Sequence, residues 1–109
     1  MTYRMFLDDE RSPPADGQDW EIAPDFVWVK YLVKSMGVPA FISFDHDLGD
    51  GQPTGLDIAR WLAARVLDGH DELPEGFAYF VHSQDPVGKA SIEGLMDDFL
   101  RHHADGAVG

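Results

Sequence analysis

The sequence predicts an α/β fold with a largely parallel sheet, and three observations lead to this prediction. Short apolar runs alternate along the chain with longer stretches of helical periodicity, which is the order expected when helices connect parallel strands. Clusters of Pro, Gly and Asp separate these segments. The 109 residues are also enough to bury one core, and a hydrophobic content of 44% is typical of a globular domain rather than a disordered chain.

Two strands are predicted in the first quarter of the chain. Residues 3–7 form a short apolar run that stops at the charged sequence DDER, the pattern of a buried strand that ends in a loop. Residues 20–23 predict a brief second strand. Between them, residues 12–19 contain two prolines and a glycine and are expected to form a loop.

A helix is expected next, although a strand competes with it. Pro24 suits the first helical position and Asp25 the first turn, and apolar residues then recur at near-helical spacing until Gly37. The β-branched residues of FVWVKYLV are also compatible with a strand. The signals at the two ends of the segment favour the helix.

The second half of the chain predicts two strands, each followed by a helix. Residues 41–44 form the third strand, and Thr54 is suited to cap a helix that runs to about residue 67. Residues 77–81 form the fourth strand. Residues 86–102 then show helical spacing and predict the last helix.

Composition predicts one soluble domain that covers residues 1–109, with a frayed tail at about 104–109. The chain has no cysteine, which excludes disulfides, thiolate zinc sites and cysteine nucleophiles. Charged residues interrupt the first ten positions before an apolar run of signal-peptide length can form, and no apolar segment is long enough to span a membrane. A cytoplasmic protein without a membrane partner is therefore the expectation.

The net charge of −12 limits the partners of the protein. An acidic surface repels a phosphate backbone, so extended nucleic-acid binding is not expected. Solubility alone explains many acidic surfaces. A second explanation is that a divalent cation neutralises some of the acids, and the positions of the acids distinguish the two.

Three of the predicted strands end in reactive side chains. The strand ends read LDDER, FDHDLG and VHSQDP. Because parallel strands place their carboxyl ends at the same edge of a sheet, these side chains are expected to converge on one patch. This convergence is the main functional signal in the sequence.

The acids at two of these strand ends are candidate metal ligands. Asp8, Asp9 and Asp45 offer hard carboxylate oxygens, which repel one another at a sheet edge unless a cation lies among them. Mg²⁺ takes one or two carboxylates in proteins and keeps water or phosphate oxygens as its other ligands. These residues predict a site for Mg²⁺ or Mn²⁺, with Asp47 as a supporting residue that orients His46 or lies behind the ligands. The alternative is that the acids only solvate loops.

Two histidines at strand ends are candidates for proton transfer. An imidazole group can take up and release a proton near neutral pH, so His46 and His82 can share the work of a general base and a general acid, with Asp45 as a third catalytic candidate. A single histidine in a loop is commonly only a polar residue. The position of these two at the predicted sheet edge favours the catalytic interpretation.

The segment after the fourth strand is suited to bind phosphate. Ser83 offers a hydroxyl group, and the start of the last helix near Gly88 offers free backbone N–H groups. Arg11 adds a cationic contact. The alternative is that Ser83 or Asp85 caps the last helix without binding a ligand.

These motifs resemble the receiver domain of two-component signalling over most of the chain. That domain ends its first strand in paired acids that hold Mg²⁺, here Asp8 and Asp9, and its third strand in a phospho-accepting aspartate, here Asp45. The resemblance implies a three-layer, flavodoxin-like fold with a four-stranded, mostly parallel sheet. The chain departs from the pattern because residues 12–19 replace the first helix and because the fifth strand, with its lysine, is missing.

A closer resemblance is to the cyclic-phosphate-processing receiver domains. The sequences LDDERSP, SFDHDLG and VHSQDPVG look very like the motifs of that family, with Asp85 in place of its usual Asn, and the likeness spans residues 3–100. The resemblance implies a divalent-metal site and the processing of a cyclic phosphate, at an RNA end or on a cyclic nucleotide.

The resulting expectation is a phosphoesterase that hydrolyses a cyclic phosphate with the help of Mg²⁺ or Mn²⁺, on a small substrate or an RNA end. Two alternatives stay open. One is a non-catalytic module that binds a phosphorylated ligand or partner, and the other is a receiver that accepts a phosphoryl group on Asp45. The sequence does not predict the oligomeric state.

Overall fold

A computed structural model describes residues 3–17 and 19–108 of the chain. The strands and helices are β1 (Arg4–Leu7), β2 (Trp20–Ala23), α1 (Phe26–Met36), β3 (Phe41–Phe44), α2 (Gly55–Leu67), β4 (Ala78–Val81) and α3 (Pro86–Val108). Every element predicted from the sequence is present in the predicted order. The segment FVWVKYLV is helical, so the competing prediction of a strand there is wrong.

Two helices begin at side-chain caps that the sequence contains. Before α2, Thr54 and Asp57 form a reciprocal capping box, so the cap predicted at Thr54 is confirmed. Before α1, the Asp25 carboxylate accepts a hydrogen bond from the backbone N–H of Trp28 and is the N-cap. The prediction that Pro24 opens this helix is therefore wrong, because the cap lies after it.

Helix α3 is longer than predicted. It continues to Val108, beyond the predicted end near residue 102. Residues 103–108 contain no proline, and the single glycine among them weakens a helix without removing a backbone donor. The helical backbone thus includes most of the segment predicted to fray, and Gly109 lies outside the described residues. None of the helices in the described ranges combines the length and the apolar character that a membrane crossing requires.

All four strands are parallel and lie in the order β2-β1-β3-β4. Leu7 of β1 is in register with Ala23 of β2 and Phe44 of β3, and Phe44 is in register with Val81 of β4. The carboxyl ends of the strands therefore meet at one edge. A loop replaces a helix between β1 and β2, and no fifth strand follows β4 within the described ranges. The predicted receiver-like α/β fold is confirmed.

One face of the sheet, the covered face, packs against the helices. Its fully buried residues form one apolar cluster with side chains of all three helices, and they are Met5, Leu7, Ala23, Ile42, Phe44 and Val81. Tyr79 on the same face donates a hydrogen bond to the Asp97 carboxylate of α3. Both helix-containing crossovers step in the same direction along the sheet, and right-handed crossovers of that kind place their helices on the same face.

The opposite face, the open face, alternates with the covered one along each strand. It carries Arg4 and Phe6 of β1, Trp20 and Ile22 of β2, Phe41 and Ser43 of β3, and Ala78 and Phe80 of β4. These side chains lie outside the apolar cluster that the helices form. Among the described elements the helical layer is on one side only, so the second helical layer that a flavodoxin-like fold implies is not formed.

Candidate functional site

Three polar side chains lie together where β1, β3 and β4 end. Asp8 is only 2% exposed and Asp45 only 8%, although both are carboxylates. One ligand atom from each of Asp8, Asp45 and His82 falls within a group whose members are all within 4.8 Å of one another. The predicted convergence of the strand ends is confirmed for these three residues.

The backbone explains why the three side chains share one side of the sheet. The parallel ladder continues for one residue past each strand, since the N–H groups of Asp8, Asp45 and His82 donate to carbonyls of the neighbouring strands. Side chains alternate between faces along such a ladder. Asp8 therefore follows Phe6, and His82 follows Phe80, on the open face.

The His82 ring is fixed by contacts on three sides. Its Nε2 lies 2.9 Å from Oδ2 of Asp8, and its Nδ1 lies 2.7 Å from Oγ of Ser43. The ring stacks on Phe6 with an interplanar angle of 3° and a centroid distance of 4.6 Å. Both ring nitrogens are thus engaged, which sets the ring orientation whichever tautomer is present.

Backbone donors stabilise the charge of Asp8. Its Oδ1 accepts hydrogen bonds from the N–H groups of Glu10 and Arg11, at 2.8 and 2.9 Å. Burial alone acts to raise the pKa of this carboxyl group, but these two N–H groups and the His82 ring outweigh it and hold the pKa below its usual value. Asp8 is therefore the member of the cluster whose charged form the surrounding donors stabilise.

Asp45 is in the opposite electrostatic situation. Burial raises its pKa, and the nearby negative charge of Asp8 raises it further. The N–H of His46 donates to Oδ1 of Asp45 at 2.8 Å and offsets only part of this effect. Two carboxylates whose pKa values are pushed in opposite directions form a site that a cation can stabilise.

A cavity of about 480 Å³ lies over this cluster. Seven of its eleven lining residues are acids, namely Asp8, Asp9, Glu10, Asp45, Asp47, Asp50 and Asp85, so a free anion would meet strong repulsion there. Arg11 is the one basic residue of this lining. Its Nη1 donates to the carbonyl oxygen of His82 at 3.0 Å, which joins the ends of β1 and β4.

The other predicted acids lie at the rim of the cavity. Asp9 and Asp47 are both exposed and line it, but neither belongs to the closely spaced group of three ligand atoms. The Asp47 carboxylate accepts a hydrogen bond from the N–H of Gly49, so it shapes the turn after β3. Of the three predicted metal ligands, the structure places Asp8 and Asp45 in the buried group and puts His82 beside them.

The other histidine, His46, packs against the start of α3. Its Nδ1 lies 3.5 Å from the Asp85 carboxylate, and its ring lies so close to Gly88 that a Cβ added there would overlap the ring. Neither His46 nor Gly88 lines the cavity. The structure therefore gives this pair a packing contact that joins the end of β3 to α3.

The polar groups before α3 cap the helix. The Asp85 carboxylate accepts from the N–H of Val87, and the Ser83 hydroxyl oxygen accepts from the N–H of Asp85. The capping alternative is thus realised at Asp85. Ser83 lines the cavity, and its hydroxyl group keeps a proton to donate to a ligand.

Two further residues position the cluster, and one of them, Ser43, was not identified from the sequence as a site residue. Ser43 is buried and holds His82 through its hydroxyl group. The sequence feature that could have identified it is a hydroxyl group within an otherwise apolar strand. Gly55 lies against the backbone of Asp45, where an added Cβ would overlap the Asp45 carbonyl oxygen. Its N–H donates to the carbonyl of His46, so the start of α2 supports the tip of β3.

Comparison with known proteins gives one match. The family model described as "Cyclic-phosphate processing Receiver domain" matches residues 3–98. This range contains all four strands and every residue of the cluster and of the cavity above it. No curated protein and no solved structure matches the chain.

Proposed function

The chain belongs to the family of cyclic-phosphate processing receiver domains, and from this premise we propose that it hydrolyses a cyclic phosphate with the help of a divalent cation. The observation that carries the proposal is the close grouping of two buried carboxylates and an imidazole beneath an acidic cavity. A phosphate can approach so many carboxylates only when a cation offsets their charge.

The residues fit a divalent cation. Asp8 and Asp45 offer carboxylate oxygens, and His82 offers Nε2, whose ring would then carry its proton on Nδ1 and donate it to Ser43. A donor set that includes imidazole suits Mn²⁺ better than Mg²⁺, which prefers oxygen. When bound, the cation supplies charge neutralisation and Lewis-acid polarisation of a phosphate oxygen.

The remaining residues divide into phosphate contacts and proton transfer. The Arg11 guanidinium and the Ser83 hydroxyl line the cavity and are proposed to bind the non-bridging oxygens. His82 is proposed as a ligand rather than a base, because Ser43 holds its Nδ1 while its Nε2 faces the Asp8 carboxylate. His46, held beside the cavity by Asp85, is proposed to protonate the departing ribose oxygen. Water adds to phosphorus and releases one proton to the solvent, one ring P–O bond breaks as its ribose oxygen takes the proton from His46, and a phosphomonoester results.

The direct test is turnover of a nucleoside 2′,3′-cyclic phosphate with Mn²⁺ or Mg²⁺, followed by ³¹P NMR. Ring opening is expected for the full chain, and Asp45→Asn is expected to reduce its rate at least about 100-fold, because the cation site loses a charged ligand. Asp50→Asn is the matched control, since Asp50 lines the same cavity but is exposed and outside the buried group. Saturable binding without product would identify a non-catalytic module instead.

A second measurement tests the cation independently of turnover. Millimolar Mn²⁺ is expected to raise the melting temperature, by an amount equivalent to about 2.7 kcal/mol at a concentration 100 times the dissociation constant. Asp45→Asn should lose this response, and Asp50→Asn should keep it. A melting temperature that does not respond to Mn²⁺, Mg²⁺ or Ca²⁺ would rule out the cation site.

A further inference from the structure

We propose that Phe80 on the open face is a stacking platform for a nucleobase, so that the substrate is a nucleotide that carries a cyclic phosphate rather than a small base-free phosphodiester. The inference rests on the function proposed for the neighbouring site. It names the substrate class of that site and assigns part of its recognition to a residue outside the acidic cavity.

The exposure of Phe80 is the first observation. Its side chain is 56% exposed, although it lies in the middle of a four-residue strand. Within the described part of the chain, the other aromatic rings of this face contact one another or His82, through Phe6, Trp20 and Phe41. Phe80 has no aromatic partner there, and its exposure makes the ring accessible to a ligand.

The second observation is that this ring is continuous with the candidate site. Phe80 is in register with Ser43, which holds His82, and it precedes His82 by two residues on the same face of β4. Two residues along a strand span about 7 Å. A ribose whose 2′,3′-cyclic phosphate lies near His82 and Ser83 can therefore present its base towards Phe80.

The third observation is the charge around the ring. The Lys89 ammonium lies 6.0 Å from the Phe80 centroid, in the first turns of α3, beside a site that otherwise consists mostly of acids. Lys89 can contact a ribose or base oxygen without reaching the acidic cavity. Since the net charge of −12 opposes backbone-driven nucleic-acid binding, stacking on an aromatic ring is the contact that such a surface can still offer to a base.

The choice of a base as the occupant follows from these three observations together. A ring platform on a sheet suits any base, because every base has a π-face. A second copy of the chain could also cover an apolar ring, but it would not explain the position of that ring beside the proposed phosphate site. Sedimentation of the wild-type chain and of Phe80→Ala, described below, tests whether a second copy occupies the ring instead.

The test compares substrates with and without a base in the full chain and in Phe80→Ala. Adenosine 2′,3′-cyclic phosphate and the 2′,3′-cyclic phosphate of 1-O-methylribose are assayed in parallel. For Phe80→Ala we expect KM for the adenosine substrate to rise about 5- to 100-fold with little change in kcat, and KM for the methylribose substrate to stay unchanged. Phe80→Trp should restore a low KM for the adenosine substrate.

Ile22→Ala is the matched control. Ile22 is 50% exposed on the same open face but lies on the far edge strand, so its loss should change neither KM. Equal kinetics for the two substrates in the wild-type chain, or equal effects of Phe80→Ala on both, would overturn the base platform and leave the proposed hydrolysis intact. A dimer in sedimentation that Phe80→Ala dissociates would also overturn it, because a second copy would then occupy the ring.

Calorimetry separates this inference from failure of the proposed function. If no cyclic phosphate is hydrolysed, binding of the two compounds is compared directly. Tighter binding of the adenosine compound that Phe80→Ala abolishes would support the platform although the hydrolysis proposal has failed. Equal binding of both compounds would overturn the platform as well.

Discussion

The covered and open faces of the sheet belong to the same four strands but differ in what their side chains contact. On the covered face Met5, Ile42 and Phe44 are fully buried against helices. On the open face, Ser43 and the residues just beyond the strands form a hydrogen-bonded chain from Ser43 through His82 to Asp8. Alternate residues of one strand thus supply stability and chemistry separately, and each can be changed while the other is kept.

The largest expected effect contrasts two phenylalanines on opposite faces. Phe44→Ala removes a fully buried ring and is expected to lower the free energy of unfolding by about 3–5 kcal/mol. Phe80→Ala removes an exposed ring and should cost about 0.5 kcal/mol or less. Urea unfolding followed by tryptophan fluorescence measures both.

The denaturant slope provides the control for this pair. It should be similar in Phe80→Ala and the wild-type chain, which shows that the same surface is exposed on unfolding. Comparable losses of stability in the two variants would contradict the distinction between the faces. They would mean that the open face is also packed, by a segment or a partner that the described residues do not contain.

The positions of the strands and helices could be predicted because they depend on local signals. Apolar runs, the cap at Thr54 and the proline at the start of α3 each act within a few residues. The distribution of helices between the faces was not predictable in the same way. It depends on the order of the strands and on the direction of each crossover, which a single sequence does not display.

The cluster was predicted in part for a related reason. Asp8, Asp45 and His82 stand at the ends of apolar runs, and a parallel sheet brings such ends together. Ser43 was not identified, because its role depends on its register beside His82 in a neighbouring strand. The contact between His46 and Gly88 depends on where α3 begins in space, so sequence spacing placed both residues near the site but not in their observed contact.

The next largest effect tests whether α3, a helix of the covered face, packs against His46 at the end of β3. Gly88→Ala should destabilise the protein by about 1–3 kcal/mol, because the added methyl group overlaps the His46 ring. Gly94→Ala lies in the same helix with open space around it and should stabilise the protein by about 0.5–1 kcal/mol. Thermal unfolding of both variants measures the contrast.

A double variant shows whether the His46 ring causes the destabilisation. In Gly88→Ala combined with His46→Ala the overlap is gone, so the pair should show a favourable coupling of about 0.5–3 kcal/mol in a double-mutant cycle. Additive effects of the two substitutions would contradict the packing contact. They would mean that the His46 ring does not press against α3 at Gly88.

The smallest effect concerns the carboxyl groups of Asp8 and Asp45. It is the change in stability with pH in protein that holds no divalent cation. The pKa of Asp45 is raised, chiefly by burial, so its contribution to stability is fully present below the usual pKa of 3.8 and is lost as the pH rises through the raised value. The pKa of Asp8 is lowered despite burial, so its contribution is present above 3.8 and is lost as the pH falls through the lowered value. Above pH 3.8 the raised pKa of Asp45 therefore lowers the stability of the fold.

Asp45→Asn should consequently stabilise the cation-free protein at pH 7, by about 0.5–2 kcal/mol, the range common when an unfavourable charge is removed. The gain should vanish below pH 4, because Asp45 is then protonated in the wild-type chain as well. Asp8→Asn is the matched substitution and should destabilise at pH 7, since its backbone hydrogen bonds lose their charge assistance. Melting temperatures of the three chains in chelator from pH 3 to pH 8 test both signs. If Asp45→Asn destabilises at pH 7, its carboxylate is already neutralised by protein groups, and the electrostatic reason for a cation at this edge disappears.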